Sequence, residues 1–268
     1  MSIAENTVIF SVTNGKKDYP QVGALWSQFL DKLNISNYIV YCLDKESFNY
    51  LNEKGVKCQF VKKKPQIEDR YLGEGAAGLD KRFGLIGAYK CMIAKDLLKQ
   101  GKNIVFADTD AFFCRDPMPH ISQLLDQYDC LLSTAVLGCS HPQETLKEIG
   151  FTACSGFFAL KAGKRSIDFI SGMESRLTEY GDLQRAINFY LLPYIQQLGL
   201  PLSERREAAF RIEDLHIKLL PQSLVRRAGR VARDKKWNLD VSHVPPCVFH
   251  VMWRCHEKGV DLYKKLYG

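Results

Sequence analysis

No stretch of the 268-residue chain reaches the roughly 18 apolar residues that a bilayer-spanning helix needs. The opening residues MSIAENTVIF lack a basic segment followed by an apolar one, so a secretory leader is not expected either. No G-x-x-x-x-G-K-[ST] phosphate cradle occurs. Internal repeats, low-complexity segments and a convincing linker are also absent, and α/β domains often exceed about 200 residues unsplit, so one domain is the expectation. Cysteines are present but unpatterned. The nine (42, 58, 91, 114, 130, 139, 154, 247 and 255) are too scattered for a disulfide framework, and their odd number leaves a free thiol if all pairing is internal. A reducing, cytoplasmic setting is expected. With 46% hydrophobic and 25% charged residues, the chain can bury a core of its own.

The formal charge of +7 is unevenly placed. Arg226, Arg227, Arg230, Arg233, Lys235 and Lys236 stand against Asp234 alone, a local net of +5. Such a cluster suits a phosphate-bearing ligand, an anionic surface or nucleic acid, and equally a solvated loop.

Apolar spacing sets the order of elements. Val8 to Val12 reads as a strand ended by Thr13-Asn14-Gly15, and Val22, Leu25, Trp26, Phe29, Leu30 and Leu33 carry helical spacing over residues 21–33. Tyr38 to Leu43 is a second strand closed by Asp44, SFNYLNEKG a helix stopped by Gly55, and Lys57 to Val61 a third strand. This alternation predicts a mostly parallel sheet flanked by helices. A loop bearing Gly73, Gly75 and Gly78 precedes a long helix over residues 82–99, stopped by Gly101, which feeds the strand Ile104 to Ala107. Leu131 to Val136 and Gly156 to Leu160 are further strands separated by a helical TLKEIG, and Leu183 to Leu192 is a helix that Pro193 breaks or bends. Residues 201–233 give no clear period. A final strand, Cys247 to Trp253, precedes a lysine-rich tail.

The stretch NIVFADTDAFFCR, residues 103 to 115, carries the chemistry. Side chains alternate in an extended segment, so Asp108 and Asp110 are expected on one face and Thr109 on the other. Neighbouring carboxylates repel unless a cation relieves them, and hard oxygen donors suit Mg2+ or Mn2+, which keep open positions for substrate phosphates. Ligands of open α/β sheets bind beyond the carboxyl ends of strands, where this motif lies. A surface turn with two aspartates is the plainer explanation of a bare D-x-D. A calcium loop is excluded, because Phe112 and Phe113 occupy positions that need an oxygen donor and a glycine. His250 alone on an apolar strand reads first as a core residue, and Cys247, His250, Cys255 and His256 offer a zinc alternative without the usual second pair.

The segment GKNIVFADTDAFFCRDP resembles the D-x-D region of nucleotide-diphospho-sugar transferases of the GT-A fold, in particular the group related to plant cell-wall xylosyl- and arabinosyltransferases. The Thr-Asn-Gly loop, Asp44, Lys90, SGFF at 155–158, LQRAIN at 183–188 and FHVMW at 249–253 follow in the family's order. The resemblance implies a single GT-A domain, with residues 1–115 as the nucleotide-binding half and 116–268 as the acceptor-binding half. It implies Mn2+ or Mg2+ held by Asp108, Asp110 and His250, with Asp108 also facing the ribose and Asp110 the main carboxylate ligand. Thr13, Asn14 and Asp44 would bracket base and ribose, while Arg82, Lys90 and Lys258 would assist the departing diphosphate. Cys154 stands where relatives often have asparagine, and Leu183-Gln184 where they have Asp-Gln, with Asp182 displaced by one. Gln184 would then lie near the transferred sugar and Asp182 would substitute for the missing carboxylate, or simply cap the helix. The expected partners are a nucleotide sugar, most commonly a uridine diphosphate sugar, and a glycan or other hydroxyl acceptor, with no nucleic acid. No general base for inversion is evident, and retention is what the resemblance implies. A metal-dependent nucleotidyl or phosphoryl transferase is the second reading, and a nucleic-acid module built on RRAGRVARDKKW the third.

Overall fold

Alternating side chains on the central strands sort into two cores. Ile9, Val105, Ala107 and Phe157 join one, whereas Phe10, Phe106 and Phe158 join the other. Strands buried on both faces require a layer on each side, and the molecule is accordingly a three-layer α/β/α domain. The computed structural model describes residue 3 and residues 6–16, 18–65, 81–135, 141–227, 245–251 and 255–268.

The first half alternates strictly. β1 (Thr7–Thr13), α1 (Tyr19–Lys32), β2 (Tyr38–Cys42), α2 (Lys45–Glu53), β3 (Cys58–Phe60), α3 (Lys81–Lys99) and β4 (Asn103–Ala107) follow one another. Gly55 and Gly101 adopt φ +71° and +75° after α2 and α3, the left-handed stops expected of them. The turn from β4 leads into β5 (Ala111–Phe113), α4 (Met118–Gln127), β6 (Cys130–Ala135), α5 (Gln143–Ile149), β7 (Thr152–Leu160), α6 (Lys164–Tyr180) and α7 (Leu183–Gln196). α8 (Leu202–Arg205), β8 (Ala209–Ile212), β9 (Leu215–Leu219), β10 (Val225–Arg227), β11 (Val248–His250) and α9 (Cys255–Tyr267) complete the chain.

The main sheet has the order β3-β2-β1-β4-β7-β6-β9-β8. β7 and β8 run against the rest, so the sheet is mostly parallel as expected. A second, small sheet of order β10-β11-β5 lies beside it. α1, α4 and α9 cover the face that also receives β5, while α3, α6 and α7 cover the opposite one.

Three expectations change. α7 continues through Pro193 to Gln196, because Leu191 and Ile195 are buried on either side of the proline and their packing outweighs one lost hydrogen bond. The aperiodic stretch from residue 201 contains α8 and the antiparallel pair β8-β9, whose short strands alternate buried and exposed residues over too few positions to read in advance. The last strand is shorter than expected, Val248–His250. Val136, Trp253, the loop with Gly73, Gly75 and Gly78, and the basic stretch beyond Arg227 lie outside the described residues.

Candidate active site

β1, β2 and β4 are parallel neighbours, so their carboxyl ends open on one edge, where a cleft of about 170 Å³ is lined by Thr13, Asn14, Tyr19, Leu43, Ile86, Lys90, Asp108, Thr109 and Asp110. The D-x-D segment is a turn and not extended chain. The Ala111 N–H donates to the Asp108 carbonyl at 2.8 Å, closing the link between β4 and β5. The carboxylates therefore converge through chain reversal, and Thr109, expected on the far face, also lines the cleft. Trp26, fully buried on α1, donates its indole N–H to the Ala111 carbonyl at 3.0 Å and fixes the start of β5.

Register then brings in the histidine. β11 pairs antiparallel with β5 so that His250 lies opposite Ala111, and the Val251 N–H donates to the Asp110 carbonyl at 2.8 Å. His250 Nε2 is 3.1 Å from Asp110 Oδ1 and 3.8 Å from Asp108 Oδ2. Potential ligand atoms of Asp108, Asp110 and His250 all lie within 4.8 Å of one another, the only such metal-ligand group among the described residues. The zinc alternative through Cys247 and His256 is not assembled there. The histidine is only 6% exposed, so this is no solvated surface cluster.

The remaining polar atom of each of the three residues is also held. Lys90 Nζ donates to Asp108 Oδ1 at 2.7 Å and sits 4.4 Å over the Phe106 ring. Cys255 Sγ donates to Asp110 Oδ2 at 3.3 Å, and Cys154 Sγ lies 3.5 Å from His250 Nδ1. Asp108 Oδ2, Asp110 Oδ1 and His250 Nε2 are left facing one another. Gly156 makes this closeness possible, since a Cβ there would stand 2.2 Å from His250 Cε1 and 2.6 Å from Asp108 Oδ2.

Charge follows geometry. Burial alone would depress the His250 pKa, yet the Asp110 carboxylate beside it holds the imidazolium and raises it well above its ordinary value. Burial would raise Asp110, but His250 draws it below the usual carboxylate range. Burial likewise pushes the Cys154 thiol up, and the charges of Arg227 and His250 outweigh it, bringing it to about 6.

The other expected residues divide. Thr13 ends β1 with a buried hydroxyl that finds no hydrogen-bond partner among the described residues. Asn14 accepts from the Lys16 N–H at 3.1 Å. Asp44 is turned to the backbone: one oxygen caps α2 through the Ser47 N–H at 2.8 Å and the other takes the Gly15 N–H at 2.6 Å, so it shapes the cleft without lining it. Asp182 caps α7 through the Arg185 N–H, the simpler of its two expected roles, and its other oxygen is 3.9 Å from His141 Nε2. Gln184 is buried and donates to the His141 carbonyl. Lys258 is buried on α9, where Gly259 lets the helix close on Phe112 and Leu25. Arg82 lies in α3, and its side chain is outside the described residues.

Sequence reasoning missed Tyr19, Leu43 and Ile86 in the cleft, the close approach at Gly156, and the thiols behind His250 and Asp110. The first three, at the start of α1, just after β2 and within α3, are unmarked by any motif. Cys154 was noticed only as a departure from a pattern.

Comparison with known proteins places the chain in a family. The model of the nucleotide-diphospho-sugar transferase family matches residues 33–262. A UDP-galactose:fucoside alpha-3-galactosyltransferase of Dictyostelium discoideum is 26% identical over 182 residues, covering 60% of this chain and 27% of that protein. The chain thus spans about a quarter of the length of that relative. The crystal structure of the galactosyltransferase LgtC with donor and acceptor sugar analogs superimposes with TM-score 0.58 at 10% identity, over 97% of this chain and 96% of that one. The glycosyltransferase GlyE of Streptococcus pneumoniae gives TM-score 0.50 at 13% identity, over 96% and 60%. At such identities the structural likeness speaks for the GT-A fold alone.

Proposed function

The chain belongs to the nucleotide-diphospho-sugar transferase family, and from that premise we propose that it is a metal-dependent glycosyltransferase, moving a hexose or pentose from a nucleotide sugar to a glycan or other hydroxyl acceptor. One observation carries the reading. Asp108 Oδ2, Asp110 Oδ1 and His250 Nε2 face one another where the two aspartates line the cleft beyond β1, β2 and β4. Two carboxylates and an imidazole suit Mn2+, and the carboxylates suit Mg2+. The donor set therefore fits a divalent ion, held by those three residues, and such an ion would stabilise the charge of the departing diphosphate as a Lewis acid.

The chain's own residues perform the rest. Thr13, Asn14, Tyr19, Leu43 and Ile86 offer a half-apolar slot in which a nucleoside would lie, uridine being the commonest among lookalikes, while Asp44 braces the loop from below. Lys90 neutralises one side of Asp108 and so lowers the repulsion that a diphosphate would meet in the cleft, a cationic contribution. Arg82 and Lys258 would add to it. Asp182 and Gln184, at the start of α7, would face the transferred sugar. In this division residues 1–115 bind the nucleotide and residues 116–268 the acceptor. We propose that the course is retention, as the family resemblance implies. Among the described residues no helix is long and apolar enough to cross a membrane. The eight described cysteines are all free thiols, which supports a reducing, cytoplasmic setting.

The test is a panel of sugar nucleotides with Mn2+, reading release of nucleoside diphosphate onto water or simple sugars. One donor should be turned over preferentially, and Asp110→Asn should abolish it together with chelation. Full activity in that variant would refute the assignment.

A further inference from the structure

Three polar atoms face the centre of the candidate metal site, and each belongs to a side chain whose second polar atom is tied from behind. Lys90 holds Asp108 and is one expected participant. The other two ties come from thiols, which no motif assigned. Cys154 is 2% exposed on β7, two residues before Gly156, with its sulfur 3.5 Å from Nδ1 of His250. Cys255 opens α9, and its sulfur reaches Oδ2 of Asp110 at 3.3 Å and the Val251 carbonyl at 3.7 Å.

Resting on the metal-site reading above, we infer that Cys154 and Cys255 are positioning residues of the metal centre: the Cys154 sulfur accepts from Nδ1–H of His250 and so presents Nε2 to the ion, and the Cys255 thiol donates to Asp110 and leaves its other oxygen free. The argument is geometric. An imidazole can offer a lone pair on Nε2 only when its remaining proton sits on Nδ1, and that proton, deep in the protein, requires an acceptor. Cys154 is the side chain at that distance. A carboxylate rotates freely unless one oxygen is held, and Cys255 joins Asp110 to the first turn of α9, which packs over β5 through Gly259. Outer partners of this kind typically change metal affinity ~10–100-fold. Sulfur is a weak donor and acceptor, so the lower end applies.

The experiment is Mn2+ binding to the full chain without nucleotide sugar, by calorimetry and by the electron paramagnetic resonance of bound Mn2+, on wild type, Cys154→Ala, Cys154→Ser, Cys255→Ala and Cys255→Ser, each checked by thermal melting. Each alanine variant should bind Mn2+ about 10-fold more weakly and broaden the resonance. Serine, which keeps an acceptor at 154 and a donor at 255, should recover part of the loss at an unchanged melting temperature. Wild-type affinity in both alanine variants overturns the inference and leaves the metal centre standing. Equal weakening in the alanine and serine variants also overturns it, since a steric role needs no hydrogen bond. A wild type that binds no Mn2+ removes the metal centre itself.

Discussion

Gly156→Ala is the sharpest perturbation, because one methyl group would enter the space that His250 and Asp108 share. The glycine carries no left-handed φ, so the backbone tolerates alanine and the whole effect is contact. The new carbon would stand 2.2 Å from His250 Cε1, 2.6 Å from Asp108 Oδ2 and 2.9 Å from His250 Nδ1. An ordinary contact begins near 3.4 Å, so the ring or the strand must retreat by about 1.2 Å. His250 cannot do this cheaply, being buried and held by the β5-β11 register on one side and by Cys154 on the other. Overpacking of this size costs ~1–3 kcal/mol. At ~2–4 °C per kcal/mol for a chain of this length, melting should fall by roughly 2–12 °C. Displacing a binding group by about 1 Å can cost ~100-fold in turnover. The assay is diphosphate release from the preferred sugar nucleotide with Mn2+, alongside Mn2+ affinity and thermal melting. Wild-type turnover and affinity in a folded Gly156→Ala protein would refute the idea that His250 and Asp108 must meet across this residue.

Two further outcomes are expected. Lys90→Met keeps an apolar stem on Phe106 but leaves Asp108 facing Asp110 with less positive charge nearby; since the lysine is buried and the aspartate side chain only 29% exposed, stability should fall by about 3 kcal/mol in urea unfolding, and an unmoved midpoint would contradict the pairing. Asp44 sits below its ordinary pKa, since burial, which raises it, is outweighed by backbone N–H groups led by those of Ser47 and Gly15. A depressed native pKa stabilises above the unfolded value and loses that stabilisation as pH falls. The advantage of wild type over Asp44→Asn should therefore be full at neutral pH and fade below the usual carboxylate range, and a gap that widens on acidification would refute the assignment.

Much of the fold was legible because it is locally encoded. Glycine stops after α2 and α3 and the apolar runs of β1, β2 and β4 each follow from the conformational preferences of a few consecutive residues. The short strands β8, β9 and β10 gave no such signal, since their partners, and not their own period, keep them extended. The same contrast holds within the site. The two aspartates stand out in sequence as charges against an apolar run, but the turn that brings them together was misread as extended chain. Asp182 illustrates a role that local chemistry anticipates, for one of its carboxylate oxygens caps α7.

What the sequence by itself determined is the parallel framework and the position of Asp108 and Asp110 at the end of a central strand, because strand, helix and cap propensities act over short distances along the chain. Only the tertiary structure decided the register that sets His250 beside Asp110, a meeting the resemblance implied but no local pattern explained, and that Gly156 would have no room for a side chain and two cysteines would lie behind the ligand residues. Those contacts join β5, β7, β11 and α9, whose register and close approach are set by the packing of the whole domain, and no local run of residues records it.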